Sequence, residues 1–177
     1  MFARPSAAIG EGVGELESQL TDFFAQHYDR LVGLAALVCH SSASVEDAVQ
    51  AAMEQAWRRR TTLRDLRLLK PWLDQIVVRE AIRLNRRPWW SRLLPGDQEA
   101  VEGLTDRRDD VNPAWITLAD AFRHLPLEQR AAVALHMYAG YSVEETAELT
   151  GARLETTRSR LRLARQRLRR ELGEDDR

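Results

Sequence analysis

Residues 142–170 read SVEETAELTGARLETTRSRLRLARQRLRR. Ser142 stands three residues ahead of Glu145, the spacing of a capping box in which hydroxyl and carboxylate each take the other residue's backbone N–H. Ala147 and Leu149 belong to the short helix this box opens, and Gly151 lets the backbone turn without a side-chain penalty. A second helix is predicted from near Glu155. Its Leu161, Ala164, Leu168 and Leu172 recur at helical spacing and are expected to face inward. Arg158, Arg162, Arg165 and Arg169 fall on another face, with Arg160 and Arg167 beside them. From Arg153 to Arg170 there are eight arginines and one acid, Glu155. Within that run no acid stands four residues from an arginine, so the charge is not balanced by a ladder of ion pairs. Arginine-rich amphipathic helices also serve coiled coils and membrane surfaces. A capped short helix and a glycine turn are superfluous there, and an apolar face of Leu and Ala lacks the Trp or Phe of a membrane-lying helix. The pattern is that of a helix-turn-helix with an electrostatic footprint for phosphates.

The rest of the chain must offset this charge, because its 177 residues sum to a formal −1. A local basic surface steers a polyanion even when the total is near zero. Of 26 basic residues only Lys70 is not arginine, which reads as genome composition bias rather than chemistry. Cys39 is the single cysteine, excluding an internal disulfide and a Cys-rich zinc site. Its setting, LVGLAALVC, predicts a buried, inert thiol. No apolar run approaches the ~20 residues of a membrane span, and no signal-peptide pattern opens the chain. The expectation is a soluble, cytoplasmic protein without membrane insertion.

Outward from the basic helix, the pattern is helical throughout. Residues 1–14, with Gly10, Gly12 and Gly14, are expected to form a disordered tail. A helix is predicted over 15–40, its apolar side marked by Phe23, Phe24, Tyr28, Leu31, Leu34, Ala35 and Val38. Ser44 is the expected cap of the next, with Val45, Val49, Ala52, Met53, Ala56 and Trp57 as its buried stripe. After the basic loop RRRTTLRDLRLLK, Pro71 opens a third helix that buries Trp72, Leu73, Ile76, Val77 and Leu84. Residues 89–112 hold Pro95, Gly96 and Gly103 without periodicity and read as a linker. Residues 113–177 resume as helices, with an apolar patch of Ala132, Val133, Leu135, His136 and Met137. No stretch alternates as a strand does. The fold class is all-α: two small helical domains, 15–88 and 113–177, joined by a flexible linker and expected to move independently.

Catalysis finds no support. His27, His40, His124 and His136 are dispersed, without metal-ligand spacing. His136, on an apolar helix, is expected in the core. No nucleophile elbow, phosphate loop or dinucleotide fingerprint occurs. No catalytic residue, metal or cofactor is expected.

Two blocks together resemble a bacterial sigma factor of the extracytoplasmic-function (ECF) group, the kind with only regions 2 and 4. In VEDAVQAAMEQAW, Asp47, Gln50 and Trp57 match a region 2 helix. In PWLDQIVVREAIRLNRR, Pro71, Trp72, Leu73, Ile76, Arg86 and Arg87 carry the match on. AFRHLPLEQRAAVALHMYAGYSVEETAELTG and ETTRSRLRLARQRLRR resemble region 4. The resemblance covers about 20–88 and 114–172. The chain departs from the family pattern at Ala51, Arg79, Thr157 and Leu163, which bears on individual base contacts rather than on class.

The resemblance implies a protein that binds core RNA polymerase and directs it to promoter DNA, with an anti-sigma factor as a further partner to consider. Asp47, Gln50 and Glu54 share one helix face and become the expected polymerase-docking surface. Arg58, Arg59, Arg60, Arg64, Arg79, Arg83 and Arg86 become the expected contacts to the −10 element. Trp57 and Trp72 are read as core anchors, and Trp89 and Trp90 as a cover for the end of the domain. The recognition helix is expected in the −35 major groove, offering Glu155, Thr156, Arg158, Ser159 and Arg162 to base edges. Arg160, Arg165 and Arg169 are expected on phosphates, while Arg158 or Arg162 suits guanine. Two rival readings stand beside this one: a stand-alone helix-turn-helix regulator, which leaves the first block without a role, and a protein-interaction module whose arginine face meets an acidic partner.

Overall fold

A run of apolar residues at three- and four-residue steps sets the first helix. In the computed structural model, which describes residues 7–86 and 120–173 with side chains from Leu16 onward, α1 spans Ala7–Val38. Leu20, Leu31, Leu34, Ala35 and Val38 on it are fully buried. The helix starts eight residues before the expected Glu15, so Gly10, Gly12 and Gly14 are helical. Propagation from a packed segment adds one hydrogen bond per residue and offsets the glycine cost. The expected linker 89–112, with Trp89 and Trp90, lies outside the described residues, as does Arg87.

Helix α2 spans Ser42–Arg59, and its cap is Ser41 rather than Ser44. Ser41 is the residue with extended backbone, and its hydroxyl accepts the Ser44 N–H at 3.2 Å, as an N-cap must. Val45, Ala48, Val49, Ala52 and Ala56 are buried, but Trp57 is 43% exposed. One residue beyond Ala56 is about 100° further around the helix, off the buried stripe. The expected basic loop is two 3₁₀ turns, Arg60–Thr62 and Leu66–Leu68. Helix α3, Leu69–Asn85, begins two residues ahead of Pro71. Pro71 still lies in the first turn, where its missing N–H costs nothing. Leu73, Val77, Val78 and Ala81 make α3 the central element of this unit.

In the second unit α4 spans Leu127–Val133 and widens into a π turn, Ala134–Tyr138. Gly140 (φ +82°) then turns the chain into α5, Val143–Thr150. The capping box forms in full: Glu145 N–H donates to Ser142 Oγ at 3.1 Å and Ser142 N–H to Glu145 Oε2 at 2.8 Å. That second bond holds the Glu145 carboxyl below its ordinary range. Gly151 (φ +66°) occupies the left-handed C-cap. Helix α6, Leu154–Glu171, buries Thr157, Leu161, Ala164 and Leu168. Leu172, expected inward, is the exposed C-cap. Every described element is helical.

The two units do not stand apart: one continuous apolar cluster runs from Leu20 to Leu168 through both. Where Tyr138 crosses α1, the chain has Gly33. A Cβ there would lie 2.2 Å from Tyr138 Oη and 2.9 Å from its Cζ. Tyr138 OH donates to Arg30 O at 3.3 Å. Beside this contact Asp74, fully buried, accepts from Arg30 at 2.6 and 3.0 Å, Lys70 at 3.4 Å and Tyr141 at 2.7 Å. Lys70 also donates to Ala139 O at 3.2 Å. Burial and the Asp74 hydrogen bond push the Tyr141 phenol well above its usual range. A buried carboxylate is tolerable only with partners of this kind. Further contacts join Gln75 to Leu149 O at 3.1 Å, Arg86 to Glu128 at 2.8 Å, and Arg130 to His40 at 2.9 Å. In this arrangement the two units are in contact.

Candidate nucleic-acid and polymerase interface

Burial of Leu161, Ala164 and Leu168 turns the opposite side of α6 to solvent. Glu155, Thr156 and Ser159 are exposed in its first turns, and Arg158, Arg162, Arg165 and Arg169 line up behind them. Arg162, Arg165 and Arg169 have no hydrogen-bonding or ionic partner among the described residues. Arg158 does: it reaches Glu155 at 2.5 Å and Glu144 at 3.5 Å. Arg160 is half-buried, and its charge helps hold the Glu128 carboxyl low, after the larger effect of the Arg86 hydrogen bond. Arg167 is also half-buried, donating to Gln129 at 3.3 Å. The basic run therefore divides into an outward row and a pair that ties α6 to α4.

The outward row walls a cavity of about 380 Å³ whose other side is His136 and Val143. His136, expected in the core, is half-exposed here, with Nδ1 2.7 Å from Tyr141 O. It lies in the π turn just beyond the wholly buried run 129–135, which periodicity alone does not reveal. Met137, also expected in the apolar patch, is 60% exposed for the same reason.

On the first unit the arginines expected at the −10 element are dispersed in role. Arg59, Arg64 and Arg79 are exposed with no partner among the described residues. Arg58 pairs with Glu54 at 3.2 Å, Arg83 with Glu80 at 2.6 Å and Arg86 with Glu128 of the second unit. Arg60 bonds Glu17 at 2.8 Å and lies 5.1 Å from the Trp57 ring centre.

Asp47, Gln50 and Glu54 are all exposed on α2, opposite Val45, Val49, Ala52 and Ala56. An apolar groove of about 400 Å³ lies between α1 and α2, lined by Phe24, Tyr28, Met53 and Trp57 among others. Trp72, by contrast, packs against the core as expected. Cys39 is buried, donates to Ser44 O at 3.4 Å and is pushed up to about 12 by burial, so it carries no reactive thiolate. Among the described residues no His, Cys, Asp and Glu converge to hold a metal, and no helix is long and apolar enough to cross a membrane.

Comparison with known proteins agrees with this geometry. The model of Sigma-70 region 2 matches residues 23–91, and that of Sigma-70, region 4 matches residues 116–168. The chain is 37% identical over 150 residues to the ECF RNA polymerase sigma factor SigM of Mycobacterium tuberculosis, covering 85% of this chain and 75% of that protein. It is 29% identical to the RNA polymerase sigma factor SigV of Bacillus subtilis, covering 73% and 76%. Its fold is similar to the sigma factor RpoE solved with the anti-sigma factor NepR from Bartonella quintana, with a TM-score of 0.64 at 23% identity over 88% of this chain and 98% of that one. CnrH, solved with the cytosolic domain of CnrY, has a TM-score of 0.61 at 21% identity, covering 89% of each. A capped helix-turn-helix behind an arginine row, joined to a three-helix unit with an acidic-polar face, is thus matched along nearly its whole length, and the chain belongs to the ECF sigma factors of RNA polymerase.

Proposed function

We propose that this protein binds core RNA polymerase through the Asp47, Gln50 and Glu54 face and directs it to promoters. It does so by reading the −35 element with α6 and the −10 element with the first unit. It acts in the cytoplasm, where promoter DNA is, and performs no bond chemistry of its own. The observation that carries the reading is the row Arg162, Arg165 and Arg169, exposed on one helix face without an anion among the described residues. Phosphate contacts hold register and base contacts specify. Glu155, Thr156, Ser159 and Arg162, exposed in the first half of the helix, take the second task. Arg158 must first release Glu144 and Glu155 to join them. Arg59, Arg64 and Arg79 are the arginines best placed for the −10 strand, where single-stranded bases are held as they leave the stack. RpoE was solved with the anti-sigma factor NepR and CnrH with the cytosolic domain of CnrY, and an anti-sigma factor is the corresponding partner proposed here.

In-vitro transcription with purified core polymerase on a random promoter library tests this. Run-off products whose templates share −10 and −35 motifs are the expected result. DNA binding without any transcript would instead identify a stand-alone regulator.

A further inference from the structure

We infer that His136 is a phosphate ligand of the α6 groove and that DNA binding there takes up a proton at its Nε2. The inference rests on the reading of α6 as a DNA-contacting helix and adds to it a residue outside that helix. His136 comes from the π turn, and its ring forms the wall facing Arg162, Arg165 and Arg169 across the cavity of about 380 Å³. Its Nδ1 lies 2.7 Å from the Tyr141 carbonyl oxygen. A carbonyl only accepts, so Nδ1 carries the proton. In the neutral ring Nε2 is then a bare acceptor, the wrong polarity for a phosphate oxygen. Protonation from solvent converts it into a donor and adds a positive charge.

The groups around it make that step depend on the ligand. From α6 it faces four guanidiniums, those of Arg158, Arg162, Arg165 and Arg169, and the neutral Gln166. From α5 it faces the apolar Val143, while Glu144 is turned to Arg158 and Glu145 is held by the cap. The α6 side of the groove is thus a set of cations. A phosphodiester entering the groove neutralises them and supplies an acceptor, so ligand and proton bind together. Linkage limits the gain to about tenfold in affinity per pH unit for one proton.

The test uses the full chain and a fluorescein-labelled 20-base-pair duplex of mixed sequence, read by anisotropy between pH 6 and pH 8 at fixed salt. The wild type is expected to bind about tenfold more tightly at pH 6. His136→Gln should lose that dependence. His136→Lys, with its charge fixed, should bind tightly across the range. A purely structural role would not give this split, and circular dichroism checks that both variants keep the fold. Equal pH slopes for wild type and His136→Gln would overturn the inference while leaving α6 as the DNA-binding element. Unchanged binding by Arg162→Gln/Arg165→Gln would overturn both.

Discussion

Asp74 shows how one side chain can set the cost of separating two parts of a chain. It is wholly buried and reached by Arg30 from α1, Lys70 from its own helix and Tyr141 from the turn before α5. Asp74→Asn leaves two cations facing a neutral amide. Breaking a buried pair costs about 3–5 kcal/mol, and the low end, about 3 kcal/mol, is expected here because Arg30 and Lys70 keep part of their hydration. Urea denaturation measures this. Gly33→Ala should act with opposite signs on two observables. Alanine favours the helix by up to about 1 kcal/mol, yet its Cβ displaces Tyr138. A fluorophore pair spanning the units should report loss of contact, while the isolated melting of α1–α3 is not lowered. Neither residue was prominent in the sequence. An acid between Leu73 and Ile76 on a buried face does signal a hidden partner, but only the fold says which one.

At the scale of the element, helix type and facing were legible wherever the period held. The capping box, Gly151 and the inward Leu161, Ala164 and Leu168 all followed from spacing. Errors gathered where a helix changed pitch or ended. Ser44 lost the cap to Ser41 because capping depends on backbone torsion. Leu172 pointed outward because the helix stopped at Glu171. Trp57 is of a different kind, an apolar residue at the rim of its stripe, left exposed over the groove it shares with Tyr28 and Met53. The docking face on α2 remains a proposal that a charge reversal can decide. Asp47→Arg with Glu54→Arg removes no buried atom, so helicity by circular dichroism should be unchanged. Association with core polymerase should weaken by about 2–5 kcal/mol if the pair is desolvated in the complex. A pull-down with undiminished polymerase would move the docking surface elsewhere.

For the whole molecule, composition carried no sign of the contact between the units. That contact is built from Tyr138, Tyr141, Gly33 and Asp74, of which only Asp74 breaks its local pattern. It also conflicts geometrically with promoter binding. Elements at −10 and −35 are about 25 base pairs apart, or about 85 Å at 3.4 Å per step. Two touching units of this size have centres only about 30 Å apart. Residues 87–119 extend at most ~110 Å, so the chain can span both elements once the contact opens. Tyr141 gives a way to see that opening. Its folded pKa is raised, so its contribution is complete below the unfolded value of about 10 and is lost as pH rises toward the folded one. Inter-unit energy transfer should therefore fall above pH 10 in the wild type. Tyr141→Phe should show a weaker contact at neutral pH and no further change with alkali from this group.

The π turn Ala134–Tyr138 acts as a phase shifter. Within a few residues it sends Tyr138 and Tyr141 toward the first unit and His136 toward the arginine row. Each residue of helix is about 100° of rotation, so the assignment of side chains to surfaces depends on how many residues the turn holds rather than on what they are. Met137, 60% exposed, is the position where this distinction is sharpest. Met137→Ala should leave stability and inter-unit contact within about 0.5 kcal/mol of wild type, as surface substitutions do. Deletion of Met137 restores the ordinary pitch, swings His136 and Tyr138 out of register with each other, and should uncouple the units in the same energy-transfer assay. The chain's division of labour is held there as a residue count, indifferent to side-chain identity and intolerant of a change in length.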